Sequence, residues 1–397
     1  MSSRLRIVHA ATFVHPDRTG GAERVVADLA AGQAELGHDV TVISCAATGA
    51  PNHEARRGFT HVRCPLDPAL RGLAFLRAVR TSIRAAVLRQ PAFDVLHTHQ
   101  IASAAAAQSA CRARHRAARR VHSFYAPYAD ESAVERGASW TQTVRAGVSR
   151  WLDRRTLARA DTILVLSEFS RGQVAALAPR CLSRVHEVHP GVDTTRFFTD
   201  SRAAAEQRMR VPQGARLVVS VRRLVKRMGL DAGIDAFAAV AHEDARARYW
   251  IAGDGPERDA LERRVRELGL EGRVRLLGRV AEDDLPDLLR AAHVFLLPTR
   301  ALEGFGMATL EALACGTGVV ATDAGASPAV LARLAPEFTP VPCDAAALAR
   351  ALRERLADPA RTDAIAARAA RTIAREHSLR AAAKSVDDAI QASRRPA

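Results

Sequence analysis

A single rhythm governs what this chain can fold into: short apolar runs alternate with longer amphipathic stretches, and the alternation begins again near the middle. Residues 6–11 read as a strand, 15–21 as a loop, 22–36 as a helix stopped by Gly37, and 40–44 as the next strand. Strands at 94–97, 120–122 and 162–166, with helices at 69–89, 102–116 and 140–159, continue the pattern. After the Pro190-Gly191 turn a second cycle sets strands at 217–221, 248–252, 274–277, 294–297 and 318–322 against helices at 229–241, 261–268, 284–291 and 307–314. Near-continuous apolar strands between helices predict parallel sheets covered on both faces. The expected class is α/β, with doubly wound domains at 1–198 and 199–376. A closing segment, 377–397, contains a helix at 378–392 that crosses back to brace the first domain. The polar stretch 199–210 reads as the hinge. Two such domains in tandem predict a cleft at the carboxyl ends of their strands, where doubly wound folds bind ligands.

A length of 397 residues supports two cores, and 5% aromatics leaves them to Ala, Val and Leu. The net charge of +15 suits anionic partners, whether phosphorylated small molecules, anionic lipid or nucleic acid. Arginine is spread through the helices without a basic arm, and aromatics do not interleave with it as on a base-stacking platform, so no nucleic acid is expected. Cys45, Cys64, Cys111, Cys181, Cys315 and Cys343 lack metal-ligand spacing and fit reduced thiols of a cytosolic protein. The first eleven residues do not follow a signal-peptide pattern, and no run approaches the ~20 apolar residues of a membrane span. The expectation is a cytoplasmic protein that at most rests on the inner membrane face.

The most informative string is Glu303-Gly304-Phe305-Gly306-Met307, which leads into a helix holding Glu311. Its glycines let backbone approach a ligand, and a helix start offers unpaired amides to an anion. On one continuous helix the two glutamates would stand ~12 Å apart. The reading adopted places Glu303 on the loop and Glu311 in the helix, both accepting hydrogen bonds from ligand hydroxyls. A helix cap with a solvated glutamate fits the same residues.

With Ala312, Ala314, Cys315 and Gly316, this string resembles the nucleotide-binding signature of retaining glycosyltransferases of family 4. Other landmarks fall in the family's order. They are Gly20-Gly21-Ala22-Glu23, His189-Pro190-Gly191-Val192-Asp193 with Phe197, Arg223-Leu224-Val225, and Ala252-Gly253-Asp254-Gly255-Pro256, so the resemblance covers roughly residues 6–392. It implies the GT-B fold, two Rossmann-like domains facing a central cleft. It also implies a nucleoside diphosphate sugar as co-substrate without a separate cofactor, a small-molecule or lipid-linked acceptor, and retention of anomeric configuration. By the same resemblance Arg223 meets the donor phosphate, its fork suiting two oxygens. Gly20, Gly21 and Gly253 belong to donor loops. Phe305, Gly306 and Met307 present amides, Glu303 meets sugar hydroxyls and Glu311 the ribose. His122 aligns with a histidine beside the reacting sugar, so His122, Arg223 and Glu303 form the implied catalytic set. The plain alternatives are a surface arginine, a tight turn and a satisfied strand-end histidine.

One departure stands out: the family usually has Lys five residues after the arginine, and this chain has Met228. Lys226 or Arg227 is expected to supply the charge. His97 and His99 are read as pointing to opposite sides of a strand with no third ligand near, and Asp283-Asp284 and Asp387-Asp388 as a helix start and a solvated helix face. No metal site is expected.

The helix over 70–88 carries Arg71, Arg77, Arg80 and Arg84 among leucines, and 112–120 adds arginines and His115. Such helices fit a core-facing role with solvated arginines, and also peripheral contact with an anionic membrane. Two other functions share the architecture: a sugar-nucleotide epimerase or isomerase, and a non-catalytic sugar-nucleotide-binding homologue, the latter motivated by Met228. A nicotinamide dehydrogenase is disfavoured, because no complete Gly-x-Gly-x-x-Gly follows a strand. Loop 278–280 is expected to meet the donor base and loop 123–137 the acceptor.

Overall fold

The computed structural model of the chain describes residues 4–18, 20–47, 49–125 and 140–393, with backbone alone for 140–145. Contacts divide the chain into two compact units: Met1–Gly191 with His377–Ala397, and Val192–Glu376.

In the first unit the strands are β1 (Arg6–Ala10), β2 (Asp39–Ala47), β3 (His53–Arg56), β4 (Phe59–Leu66), β5 (Val95–Thr98), β6 (Arg119–Phe124), β7 (Thr162–Val165) and β8 (Val185–Glu187). They lie in the order β3-β4-β2-β1-β5-β6-β7-β8, all parallel except the β3–β4 pair. Helices α1 (Gly21–Glu35), α2 (Gly72–Arg89), α3 (Ile101–Arg114), α4 (Trp140–Arg159) and α5 (Glu168–Leu177) connect them. The β3–β4 hairpin gives no sequence signal because His53, Glu54 and Ala55 are exposed and break the apolar alternation.

The second unit begins at Val192, and the segment expected to be a hinge, 199–210, lies inside it. There, Arg202–Arg208 form helix α6, started by Ser201, whose hydroxyl accepts from the Ala204 amide at 3.3 Å. Its charges are engaged: Arg202 forks onto Asp363 and Arg208 onto Asp287, while Ala205 is buried. These ties fix the segment to its own unit.

Strands β9 (Arg216–Val221), β10 (Ala247–Ala252), β11 (Val274–Gly278), β12 (Val294–Leu297) and β13 (Gly318–Ala321) make a parallel sheet in the order β11-β10-β9-β12-β13. Helices α7 (Leu230–Glu243), α8 (Arg258–Glu267), α9 (Leu285–Ala291), α10 (Met307–Ala314), α11 (Ser327–Leu334), α12 (Ala345–Ala357) and α13 (Pro359–Glu376) cover it. All four residues of β12 are buried, as a strand covered on both faces requires.

The last helix, α14 (Leu379–Ala392), belongs to the first unit. Leu379, Val386 and Ile390 join the core formed by α1 and the first sheet, while Arg380, Lys384 and Asp388 face solvent. Asp387 corrects the sequence reading, since it is buried: its Oδ1 accepts from Gln33 Nε2 at 3.1 Å and its Oδ2 from His38 Nε2 at 2.7 Å.

Candidate functional site

In the second sheet the chain runs from β9 outward to β10 and β11, then returns to the other side of β9 as β12, so the topological switch point lies between β9 and β12. Loops leaving the carboxyl ends of strands at such a point are where doubly wound folds build ligand sites. Two buried side chains of opposite charge meet there. Arg222 follows β9 directly, and its amide still donates to Ala252 O at 2.9 Å. Its Nη2 donates to Glu303 Oε2 at 2.6 Å and to Thr299 Oγ1 at 3.1 Å, and lies 2.7 Å from the Met228 sulfur. Thr299 completes a triangle by donating its hydroxyl to the same Glu303 oxygen at 3.0 Å. The Arg222 and Glu303 side chains are only 8% and 10% exposed, so this charge-assisted bond acts with little screening by water.

The loop from β12 to α10 holds Glu303 firmly. Leu302 sits in the left-handed region at φ 59, a strained setting for a branched residue. The Glu303 carbonyl accepts from Ala326 N at 2.8 Å, and a β-carbon on Gly325 would collide with that same carbonyl. Gly306, at φ 85, then opens α10. Glu303 therefore stands on the loop and Glu311 is buried inside the helix, as the spacing of the two suggests. Phe305 is buried and Met307 half-buried at the helix start.

The expected cations take different places. Arg223 and Lys226 are exposed. Arg227 is buried and directs Nη1 to Leu302 O at 3.5 Å, while Met228 joins the hydrophobic core. Gly253 lies beneath Arg222: at φ 138, a β-carbon there would run into the Arg222 carbonyl, so glycine lets the ends of β9 and β10 touch. Arg222 and Thr299 were absent from the sequence reading. An arginine next to Arg223 in an arginine-rich chain gives no pattern, and only strand order marks it.

In the first unit, Gly20 and Gly21 stand at the start of α1, Gly20 in extended backbone at φ 175. His122 is buried on β6, with Nδ1 3.0 Å from Thr98 Oγ1. The Thr98 hydroxyl already donates to Val121 O at 3.0 Å, so His122 Nδ1 is the donor and Nε2 keeps the lone pair. Burial lowers its pKa to about 4 despite an opposing hydrogen bond to the Thr98 backbone, leaving a neutral ring near pH 7.

His97 and His99 do not point to opposite sides. Alternate residues of a strand share a face, and their rings stack at 4.4 Å between centroids, with His9 of β1 stacked on both. Among the described residues these three form a close group of potential ligand nitrogens, all within 4.8 Å of one another. Their hydrogen bonds follow one direction. Asp387 can only accept, so Gln33 donates to it and offers Oε1 to His9 Nε2–H at 2.8 Å; His9 Nδ1 then accepts from His99 Nε2–H at 3.0 Å, and His99 Nδ1 accepts from the Tyr125 hydroxyl at 2.8 Å. His97 Nε2 meets Ser123 Oγ at 2.8 Å. Stacked rings in such a relay fit a buried polar chain better than nitrogens converging on one ion. Burial lowers the pKa of His9 to about 4 and those of His97 and His99 well below the usual histidine value. The acceptor loop expected at 123–137 lies outside the described residues from 126 onward.

The chain has relatives among known proteins. The family described as "Glycosyltransferase Family 4" matches residues 19–196, and "Glycosyl transferases group 1" matches residues 201–372. A D-inositol 3-phosphate glycosyltransferase 1 of Catenulispora acidiphila is 30% identical over 295 residues, 71% of this chain and 69% of that one. A GDP-mannose-dependent alpha-(1-6)-phosphatidylinositol monomannoside mannosyltransferase of Mycobacterium tuberculosis is 34% identical over 188 residues, 46% of this chain and 49% of that one. The matched stretches span about a third to a half of the first curated relatives, 32% and 49% of their lengths. Among solved structures, sucrose-phosphate synthase of Thermosynechococcus elongatus superposes with a TM-score of 0.82 at 20% identity, covering 98% of both chains.

Proposed function

The chain belongs to glycosyltransferase family 4 and has the GT-B fold, and from that premise we propose that it transfers a sugar from a nucleoside diphosphate sugar to a small-molecule or lipid-linked acceptor, with retention and without a metal ion. The observation that carries this reading is the Arg222–Thr299–Glu303 triangle at the switch point of the second sheet, a buried carboxylate beside a helix start. Both of its hydrogen bonds fall on Oε2, which leaves Oε1 to accept from a sugar hydroxyl. In this reading Arg223 and the amides of Phe305, Gly306 and Met307 stabilise charge growing on the leaving phosphate, and Glu311 binds the ribose. Lys226 adds positive charge at the rim of the same loop. Within the first unit, Gly20 and Gly21 are proposed to present amides to an anion at the start of α1, and His122 to keep a neutral imidazole for a sugar. Fixed cations and amides do the work of an ion, and the departing phosphate takes the acceptor's proton after same-face attack.

The names of the relatives make GDP-mannose the first donor to test, beside UDP-glucose and ADP-glucose. The true donor should raise the melting temperature through mass action. Release of nucleoside diphosphate should then require an acceptor. Conversion of the sugar nucleotide to its epimer without an acceptor and without net diphosphate release would favour the epimerase reading, and binding without turnover under any acceptor the non-catalytic one. Among the described residues no helix is long and apolar enough to cross a membrane. Peripheral contact through α2 is proposed for a lipid-linked acceptor.

A further inference from the structure

We propose that Arg222 is a positioning residue for donor recognition: it sets the Glu303 carboxylate so that one oxygen is anchored and the other faces the donor sugar. The inference rests on the transferase reading. Among the described residues, the cation on Glu303 is Arg222, although Arg223, Lys226 and Arg227 crowd the same loop. Arg227 turns onto the backbone of Leu302, and Lys226 lies exposed.

All of the Arg222 contacts converge on one nitrogen, Nη2, while its Nε–H is buried without an acceptor. An orphaned buried donor is unfavourable, and its retention marks a side chain placed for the carboxylate rather than for its own comfort. The neighbour on its other side is Met228, which brings a soft sulfur and no charge to the spot where the guanidinium rests. Charge and packing are thus divided between two residues, 222 supplying the first and 228 the second. A lysine at 228 would place a second cation against the same carboxylate, and a methionine at 222 would leave that carboxylate buried without a counter-charge.

The test is titration of wild type and variants with GDP-mannose, UDP-glucose and ADP-glucose, and with GDP, UDP and ADP, with melting curves to confirm folding. Arg222→Met is expected to weaken the sugar nucleotide about tenfold while the matching diphosphate stays within about twofold, because Glu303 reads the sugar. Adding Arg222→Met to Glu303→Gln should cost nothing further, since residues acting through one contact are not additive. Met228→Lys introduced into Arg222→Met should recover most of the loss. If Arg222→Met does not fold, Arg222→Lys, which keeps the charge on a shorter side chain without Nη2, gives the same readout as a smaller selective loss. Equal losses of sugar nucleotide and diphosphate, or additive effects with Glu303→Gln, would overturn the proposal. A wild type that binds none of the six nucleotides would bring down the transferase reading and this inference with it.

Discussion

Burial removes water from His9, His97, His99 and His122 together, and the acid response of the protein follows from that. Each ring is held neutral, so its native pKa lies below the unfolded value of 6.5, reaching about 4 for His9 and His122. Below pH 6.5 the unfolded chain takes up protons that the native state refuses. Stability is therefore intact above that pH and falls as pH drops toward 4, by up to ~1.4 kcal/mol per pH unit for each histidine. The melting temperature should decline steadily from pH 7 to pH 5, and less steeply in His9→Gln, which keeps a donor for Gln33 and removes one titrating ring. A flat profile over that range would contradict the neutral assignment. In the second unit, Glu303→Ala and Arg223→Ala should each lower transfer by at least about tenfold, with melting temperatures close to wild type for the exposed Arg223 and lower for the buried Glu303. The glutamates were legible because their string is specific. Arg222 was hidden because its role depends on the order of strands, and the histidine group was misread because alternate strand positions were assigned to opposite faces.

At the scale of elements, helices and buried strands were legible wherever one periodicity held over several turns or a strand was apolar on both faces. Strand β3 and α6 were not: His53, Glu54 and Ala55 of β3 are exposed, and α6 is tied down through the ion pairs of Arg202 and Arg208 rather than an apolar stripe. Helix α2 shows both behaviours. Val79, Ile83, Ala86 and Val87 enter the core, while Arg71, Arg77, Arg80 and Arg84 are exposed together with Leu73 and Leu76, 73% and 42% exposed. Four arginines near an anionic surface are worth about 4 kcal/mol in all, on a scale of about 1 kcal/mol each. The protein is expected to sediment with vesicles containing phosphatidylglycerol but not with phosphatidylcholine alone. Leu73→Gln with Arg77→Gln and Arg80→Gln should abolish this without changing the melting temperature. Equal sedimentation by that variant would remove α2 as the contact.

Across the whole molecule, the first unit is discontinuous: residues up to Gly191 need the helix that returns at the end of the chain. The return helix supplies Leu379, Val386 and Ile390 to the core, about 1.5–3 kcal/mol for each side chain buried. It also supplies Asp387, the acceptor on which the relay from Tyr125 through His99, His9 and Gln33 ends, and which His38 meets from the other side. Removing it exposes roughly 4–9 kcal/mol of apolar contact, and it leaves Gln33 and His38 as donors without their acceptor at about 1–3 kcal/mol apiece. Those sums approach the 5–15 kcal/mol that stabilises a typical domain. The second unit holds its own core, built from β9 to β13 and their helices. A chain ending at Glu376 should therefore show two behaviours at once: amide-exchange protection retained in β9, β10 and β12, and lost in β1, β5 and β6. Asp387→Ala should show the same pattern in milder form, lowering the stability of the first unit alone. Uniform loss across both units would mean that their folding is coupled, and the discontinuous-unit account would fail.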